Sequence, residues 1–269
     1  MNLRFHTPAY PLRTFIKSMM CYEGYSGSSR YEMLLPDGQP QLIIPLDDQS
    51  RVTVPEAKKG ESGSRLPESW ITGLFSKPLL YESEQRATTL SVQFETYGLA
   101  QLLGVPASEL TNQLVESRLL LQDSILYLRE QLMQAGSFQE RFARVEQFFL
   151  PRLPGAKTGL AEAIVHSRDF DHTPLREISQ HYGYSQKHIA HEFRRCIGLT
   201  PKKLQTLRSI NQAIRLWSET PSLSSAQVAL TCGFYDQSHF IKQFRAHTSL
   251  TPDQYRKHAK AYPHVVSLP

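Results

Sequence analysis

The sequence contains one segment twice. Ile178, Tyr182 and Gly183 recur as Val228, Cys232 and Gly233 at an offset of 50 residues. After one extra residue in the second copy's turn, Ile189, Phe193, Thr200, Pro201 and Leu204 recur as Phe240, Phe244, Thr251, Pro252 and Tyr255 at an offset of 51. Each copy reads as a short helix, a glycine turn, a second helix with buried residues one turn apart, and a third helix opened by Thr-Pro. The threonine hydroxyl and the fixed φ of proline suit the unpaired amides at a helix start. Two tandem helix-turn-helix units follow. Neither copy has much core of its own, so both are expected to pack on the helix between them, Pro201 to Glu219, with Leu204, Leu207, Ile210, Ile214 and Trp217 on its apolar side. At 1.5 Å per residue this helix spans roughly 28 Å, close to the roughly 34 Å between successive major-groove faces of duplex DNA.

The second helices of the two copies, near 185–196 and 236–247, are then recognition helices, with Ser185 and Asp236 as N-caps. With Ile189 and Phe193 inward, Gln186, Lys187, Ala190, His191 and Arg194 share the opposite side. With Phe240 and Phe244 inward, Gln237, Ser238, Ile241, Lys242 and Arg245 do the same. Gln presents a paired donor and acceptor to adenine, Lys donates to guanine, and Ala or Ile touches a thymine methyl. Arg194 and Arg245, further along, suit phosphates, as do Lys202 and Lys203 at the start of the linking helix. The first recognition helix ends near Gly198, whereas the second has Ser249 at the equivalent place, where a left-handed cap costs a serine roughly 1 kcal/mol.

Charge is unevenly divided. Residues 1–153 hold 15 Lys and Arg against 17 Asp and Glu, while residues 154–269 hold 15 against 8. The repeated half is the basic one, as an anionic partner such as duplex DNA requires. Nine of the ten histidines also lie after residue 154, but His188, His191 and Glu192 read H-x-x-H-E, the order of neither zinc-protease motif, so no metal and no cofactor is expected. Cys21, Cys196 and Cys232 form no metal-type pair and are expected as buried, reduced thiols. No apolar run approaches the roughly 18 residues of a membrane helix. The first residues lack the apolar core of a signal peptide, so no membrane partner and a cytoplasmic location are expected.

In the first half, Leu12, Phe15, Ile16 and Met19 have helical spacing and predict a short amphipathic helix over Pro11–Met20. Tyr22–Ser29 reads as a loop. The segment 31–46 reads as two strands joined by a turn at Pro36-Asp37-Gly38, and 51–54, 70–75 and 88–94 as further short strands beside a polar stretch at 58–64. From Tyr97 the pattern turns helical: a segment before Gly104, a short helix after Pro106, then 119–134 and 137–150, the last opened by a Ser137–Glu140 capping box. Pro151–Gly155 marks the domain boundary. No nucleophile elbow and no phosphate-cradling glycine loop is present, and His6 is the half's one histidine, so no enzyme is expected. Asp47 and Asp48 read as a solvated turn, and Trp70, Phe75, Tyr81 and Phe94 as core.

The stretch Ala229–Arg256 resembles the AraC/XylS family of bacterial transcription regulators at Ala229, Gly233, Phe234, Phe240, Phe244, Thr251, Pro252, Tyr255 and Arg256; Ser249 replaces the family's usual glycine. Leu35–Gly38 and Phe94–Pro106 are similar to an N-terminal domain found on a subset of that family. The resemblance implies an α+β protein. Residues 1–153 would be a β-rich sensor or dimerisation domain, cupin-like or a reduced barrel, with flanking helices. Residues 154–269 would be an all-α domain of two helix-turn-helix motifs joined by a long helix. It further implies a transcription regulator, activator or repressor, whose N-terminal domain senses a small-molecule effector or forms a homodimer, with RNA polymerase as a partner; it identifies no effector-binding residues. A regulator fused to an alkylation-type enzyme would need a reactive cysteine cluster that Cys21 alone does not supply. A purely architectural protein would bind DNA with little sequence preference.

Overall fold

The structure, a computed structural model, describes residues 1–27, 29, 31–47, 53–54, 64–65, 68–82, 87–155, 159–258 and 264–268. The strands are β1 (Asn2–His6), β2 (Ile16–Tyr25), β3 (Tyr31–Leu34), β4 (Gln41–Pro45), β5 (Thr53–Val54), β6 (Ser64–Arg65), β7 (Trp70–Thr72), β8 (Leu79–Glu82), β9 (Ala87–Phe94), β10 (Leu114–Glu116) and β11 (Val265–Leu268). They form two antiparallel sheets, one in the order β1-β2-β9-β4-β7-β10 and the other β11-β3-β8-β5-β6. The helices are α1 (Gly98–Leu103), α2 (Ala107–Leu110), α3 (Arg118–Leu121), α4 (Ser124–Gln134), α5 (Phe138–Phe149), α6 (Leu160–Val165), α7 (Leu175–Tyr182), α8 (Gln186–Ile197), α9 (Pro201–Glu219), α10 (Ser225–Thr231), α11 (Gln237–Thr248) and α12 (Pro252–His258). The chain is thus α+β, β-rich first and helical after. No helix among the described residues is long and apolar enough to cross a membrane.

Strand alternation sorts the side chains of the first sheet. Leu42 and Ile44 of β4, Leu90 and Val92 of β9, and Met19 and Cys21 of β2 turn to one face, where they pack on Leu128, Leu132, Phe142 and Phe149 of α4 and α5. Phe94 meets Phe149 edge-on at 5.5 Å. The Ser137 hydroxyl accepts from the Glu140 amide at 3.2 Å and caps α5, but the Glu140 carboxylate accepts from the Gly136 amide at 3.1 Å rather than from that of Ser137, so only half of the expected capping box forms.

Several expectations for this half need correction. Pro11–Met20 is a short 3-10 turn at Leu12–Thr14 followed by strand β2. A register shift between Ile16 and Ser18 puts both Ile16 and Met19 inward, so a β-bulge gives a strand a helix-like spacing. The Tyr22–Ser29 loop begins late, because β2 runs to Tyr25. Strands β3 and β4 exist but do not pair; the turn between them carries the chain from one sheet to the other. The helix expected over 119–134 breaks at Gln122, whose φ is 53°. Strands β1, β6, β8, β10 and β11, each of five residues or fewer, are too short to show a period in the sequence. Asp47 is tied down, its carboxylate accepting from the Thr88 amide at 2.6 Å; Asp48 and most of 58–64 lie outside the described residues.

Several contacts join the halves of the chain, Gly198 after α8 backing onto Ala107 and Thr111 among them. The Tyr97 hydroxyl donates to the Thr14 carbonyl at 3.0 Å and meets His166 Nε2 at 2.7 Å. Leu35, buried in the turn after β3, shares a core with Ile210, Ile214 and Trp217 of α9, and Gly38 backs onto Asn211, a Cβ there standing 3.5 Å from Nδ2. Finally, β11 returns from the helical half to pair with β3, Val265 opposite Leu34 and Val266 opposite Met33. Among the described residues the buried side-chain polar atoms without a partner are Gln39 Oε1, Asn211 Oδ1 and His264 Nδ1. All three belong to this junction.

Candidate nucleic-acid interface

Each helix-turn-helix unit is built by the same local rules. In the first, α7 ends at Gly183 with φ 72°, a left-handed cap that costs glycine nothing, and Ser185 caps α8 by accepting from the His188 amide at 3.2 Å. In the second, Ser224 and Gln227 form a capping box on α10, Gly233 turns with φ 76°, and Asp236 accepts from the His239 amide at 2.7 Å to cap α11. Thr200 caps α9 through the Lys203 amide, and Thr251 caps the last helix through that of Gln254.

The linking helix divides its apolar side between the units. Leu204 and Leu207 pack with Ile178, Ile189 and Phe193 of the first. Ile210, Ile214 and Trp217 pack with Val228, Phe240 and Phe244 of the second. Trp217 anchors that second core, its ring 5.7 Å from Phe240 and 5.6 Å from Phe244 and its Nε1 donating to the Leu223 carbonyl at 3.0 Å. With both recognition helices clamped on their inner side, their orientation is set by the core rather than by loops.

The outer sides are open. Gln186, Lys187, His191 and Arg194 on α8, Lys202 on α9, and Gln237, Ser238, Lys242 and Arg245 on α11 are all exposed. Among the described residues their side chains have no hydrogen-bond partner within the chain. Two flanking positions differ from expectation: Ala190 and Ile241 are half-buried, and Ile241 packs against the second core, because a residue one position from the inward row still grazes the helix it packs on. His191 stands beside Glu192, whose carboxylate is paired with Arg195 at 2.7 Å and held below the usual carboxylate range by that bond. Cys21 and Cys232 are buried, but Cys196 is only half-buried.

Two exposed aromatic residues were missed by the sequence reading. Tyr184 and Tyr235 stand one residue before the two N-caps, Tyr184 stacked on His188 with ring centroids 4.9 Å apart and Tyr235 95% exposed. The offset of 51 that pairs the caps pairs these tyrosines too, and was the signal available.

A protein with two capped recognition helices on one shared helix is a tandem helix-turn-helix protein. Residues 178–258 match the model of a helix-turn-helix domain, and residues 4–116 match a domain of unknown function (DUF6597). The chain is similar to the HTH-type transcriptional activator AarP of Providencia stuartii, 32% identical over 82 residues that make up 30% of this chain and 60% of that protein. It is also similar to the melibiose operon regulatory protein of Escherichia coli (strain K12), 31% identical over 83 residues, 31% of this chain and 27% of that one. It therefore spans less than two thirds of the curated relatives it matches. Among solved structures, unsaturated fatty acid bound ToxT from Vibrio cholerae aligns over 88% of this chain and 94% of its own at 9% identity, with a TM-score of 0.46. The repeated half of the chain is thus similar to the helix-turn-helix domains of these transcription regulators.

Proposed function

We propose that this chain is a sequence-specific DNA-binding transcription regulator, reading two successive major-groove segments with α8 and α11. The observation that carries the reading is the pairing of exposed side chains at one offset: Gln186 with Gln237, Lys187 with Ser238, His191 with Lys242, Arg194 with Arg245. Gln186, Lys187, His191, Gln237, Ser238 and Lys242 meet base edges, while Arg194, Arg245 and Lys202 meet phosphates. The chain divides near residue 153 into a sensing or dimerising domain and the DNA-binding domain, acts as an activator in the manner AarP's name states, and has RNA polymerase and a second copy of itself as partners. A cavity of about 200 Å³ between the two sheets supports sensing of a small effector by the first domain.

The test is a titration of the full chain, at fixed salt, with duplexes selected from a random pool and with the unselected pool. Selected duplexes are expected to bind on the order of a thousandfold tighter. Equal affinity for both pools would make this an architectural DNA binder.

A further inference from the structure

The inter-sheet cavity and the core of the second helix-turn-helix unit share a wall. Leu34 of β3, Leu79 and Tyr81 of β8, and Val265 of β11 line the cavity, facing Ile43 and Trp70 across it. The alternate residues of the same three strands face the other way: Met33, Leu80 and Val266 pack with Trp217, Phe240 and Phe244. The register explains the division, since Leu34 pairs with both Leu79 and Val265, and Met33 with both Leu80 and Val266, so each row of side chains is continuous across the strands. Trp70 is buried, as its reading as core expects, and lines the cavity as well, whereas Tyr81, also read as core, is half-buried in the cavity wall.

We propose that this three-stranded segment is a septum through which a small, uncharged, mostly apolar molecule in the cavity fixes the C-terminal strand and, with it, the seat of the second recognition unit. The proposal rests on the sensing reading above and deepens it. A cavity of roughly 150 Å³ holds benzene, so about 200 Å³ suits a bicyclic arene of indole's size. Tyr25 and Tyr81, both in the cavity wall, direct their hydroxyls onto the buried carboxylate of Glu32, at 2.7 and 2.9 Å, so these two donors are engaged there rather than offered to a ligand carboxylate. Gln41, Thr89 and Ser91 add polar groups to the wall, the Ser91 hydroxyl donating to Gln41 Oε1 at 3.1 Å.

Two features make the septum responsive. Its one wall from the helical half, β11, is four residues long and held by pairing to β3 on a single side. The junction around it also contains the unpartnered Gln39, Asn211 and His264 atoms, which work against the closed arrangement. A second connection runs in parallel, because Gln41 Nε2 donates to Asp37 Oδ2 at 3.0 Å, and the turn that carries Asp37 packs on Leu207 and Asn211 of the linking helix.

Indole is the probe. Calorimetry on the full chain is expected to give saturable binding of indole and at least tenfold weaker binding of indole-3-carboxylate. Indole should slow amide exchange across residues 265–268 by about tenfold, within the roughly 5- to 150-fold range of coupled sites. Val266→Asp, whose side chain lies on the far face from the cavity, should weaken indole binding by a similar factor by reciprocity; Val266→Thr, nearly isosteric, gives the same readout in smaller measure should the aspartate variant not fold. Ile43→Trp, filling the cavity from the opposite wall, should abolish the indole heat and the indole-dependent protection together. No indole binding overturns the site, and binding with unchanged tail exchange overturns the septum. DNA affinity of the ligand-free chain, measured alongside, fails only if the regulator reading itself is wrong.

Discussion

The two recognition helices end in the same backbone conformation with different residues, and substitutions there test the repeat as a physical object. Ser249 has φ 59° and ψ 6°, is exposed, and donates its amide to the Arg245 carbonyl at 2.9 Å. A left-handed conformation costs a residue with a Cβ about 1–2 kcal/mol, and the greater freedom of glycine in the unfolded chain takes back about 0.5–1 kcal/mol. Ser249→Gly should therefore gain about 0.5–1 kcal/mol, which for a chain of this size raises the melting temperature by about 1–4 °C. At the matching position Gly198 has φ 89°, but a Cβ there would lie 2.0 Å from Thr111 Oγ1 and 3.1 Å from the Ala107 carbonyl oxygen. That hydroxyl is itself held by the Ala107 carbonyl at 2.9 Å. Gly198→Ser thus combines the conformational penalty with a collision against α2, and should lose about 3 kcal/mol or more. Scanning calorimetry on the two full-length variants measures both. An unchanged or lower melting temperature for Ser249→Gly, or a Gly198→Ser variant as stable as the parent, would refute the reasoning.

Lys242→Ala and Gln237→Ala should weaken operator binding by about 1–3 kcal/mol at particular base pairs, whereas Arg245→Ala should weaken all duplexes alike and reduce the salt slope by about one; titrations against single-base-pair variants at two salt concentrations separate them. Burial pushes the His264 imidazole down to about 4, with Arg215 and Lys17 adding to the effect. The unfolded chain therefore binds this proton first, and stability is lost as pH falls from about 6.5 to about 4. Burial pushes Asp37 the other way, up to about 6, so that group adds stability as pH falls through the same window. His264→Gln should remove the first effect alone, and urea unfolding between pH 7 and 4 should show the variant gaining on the parent as the solution becomes more acid. Tyr97→Phe removes the hydroxyl shared by Thr14 and His166, and should cost about 1 kcal/mol, read as a lower urea midpoint with an unchanged slope.

The helical half was legible because its signals are local. Caps at Ser185 and Asp236, glycine turns at Gly183 and Gly233, and inward residues one helical turn apart each depend on neighbours within a few positions, and duplication states every such rule twice. The exposed faces of α8 and α11 follow from the same periodicity, which makes the candidate contacts legible in the sequence alone. What periodicity left open was the edge of each face, where Ile241 turns partly inward onto a core built by Trp217.

The first half was less legible because its organisation is non-local. A bulge in β2 imitates helical spacing, and the strands on either side of Pro36–Gly38 look like a hairpin while joining different sheets. Strand pairing between positions more than 200 residues apart, as in β3 with β11, leaves no trace in either segment's own pattern. The sequence by itself determined the repeat, its two recognition helices and the exposed residues they carry, since helix formation and capping are set by near neighbours. Only the tertiary structure decided that one sheet lines the cavity with one face and packs on the second helix-turn-helix unit with the other, because which faces are buried, and against what, is a property of the whole packed chain.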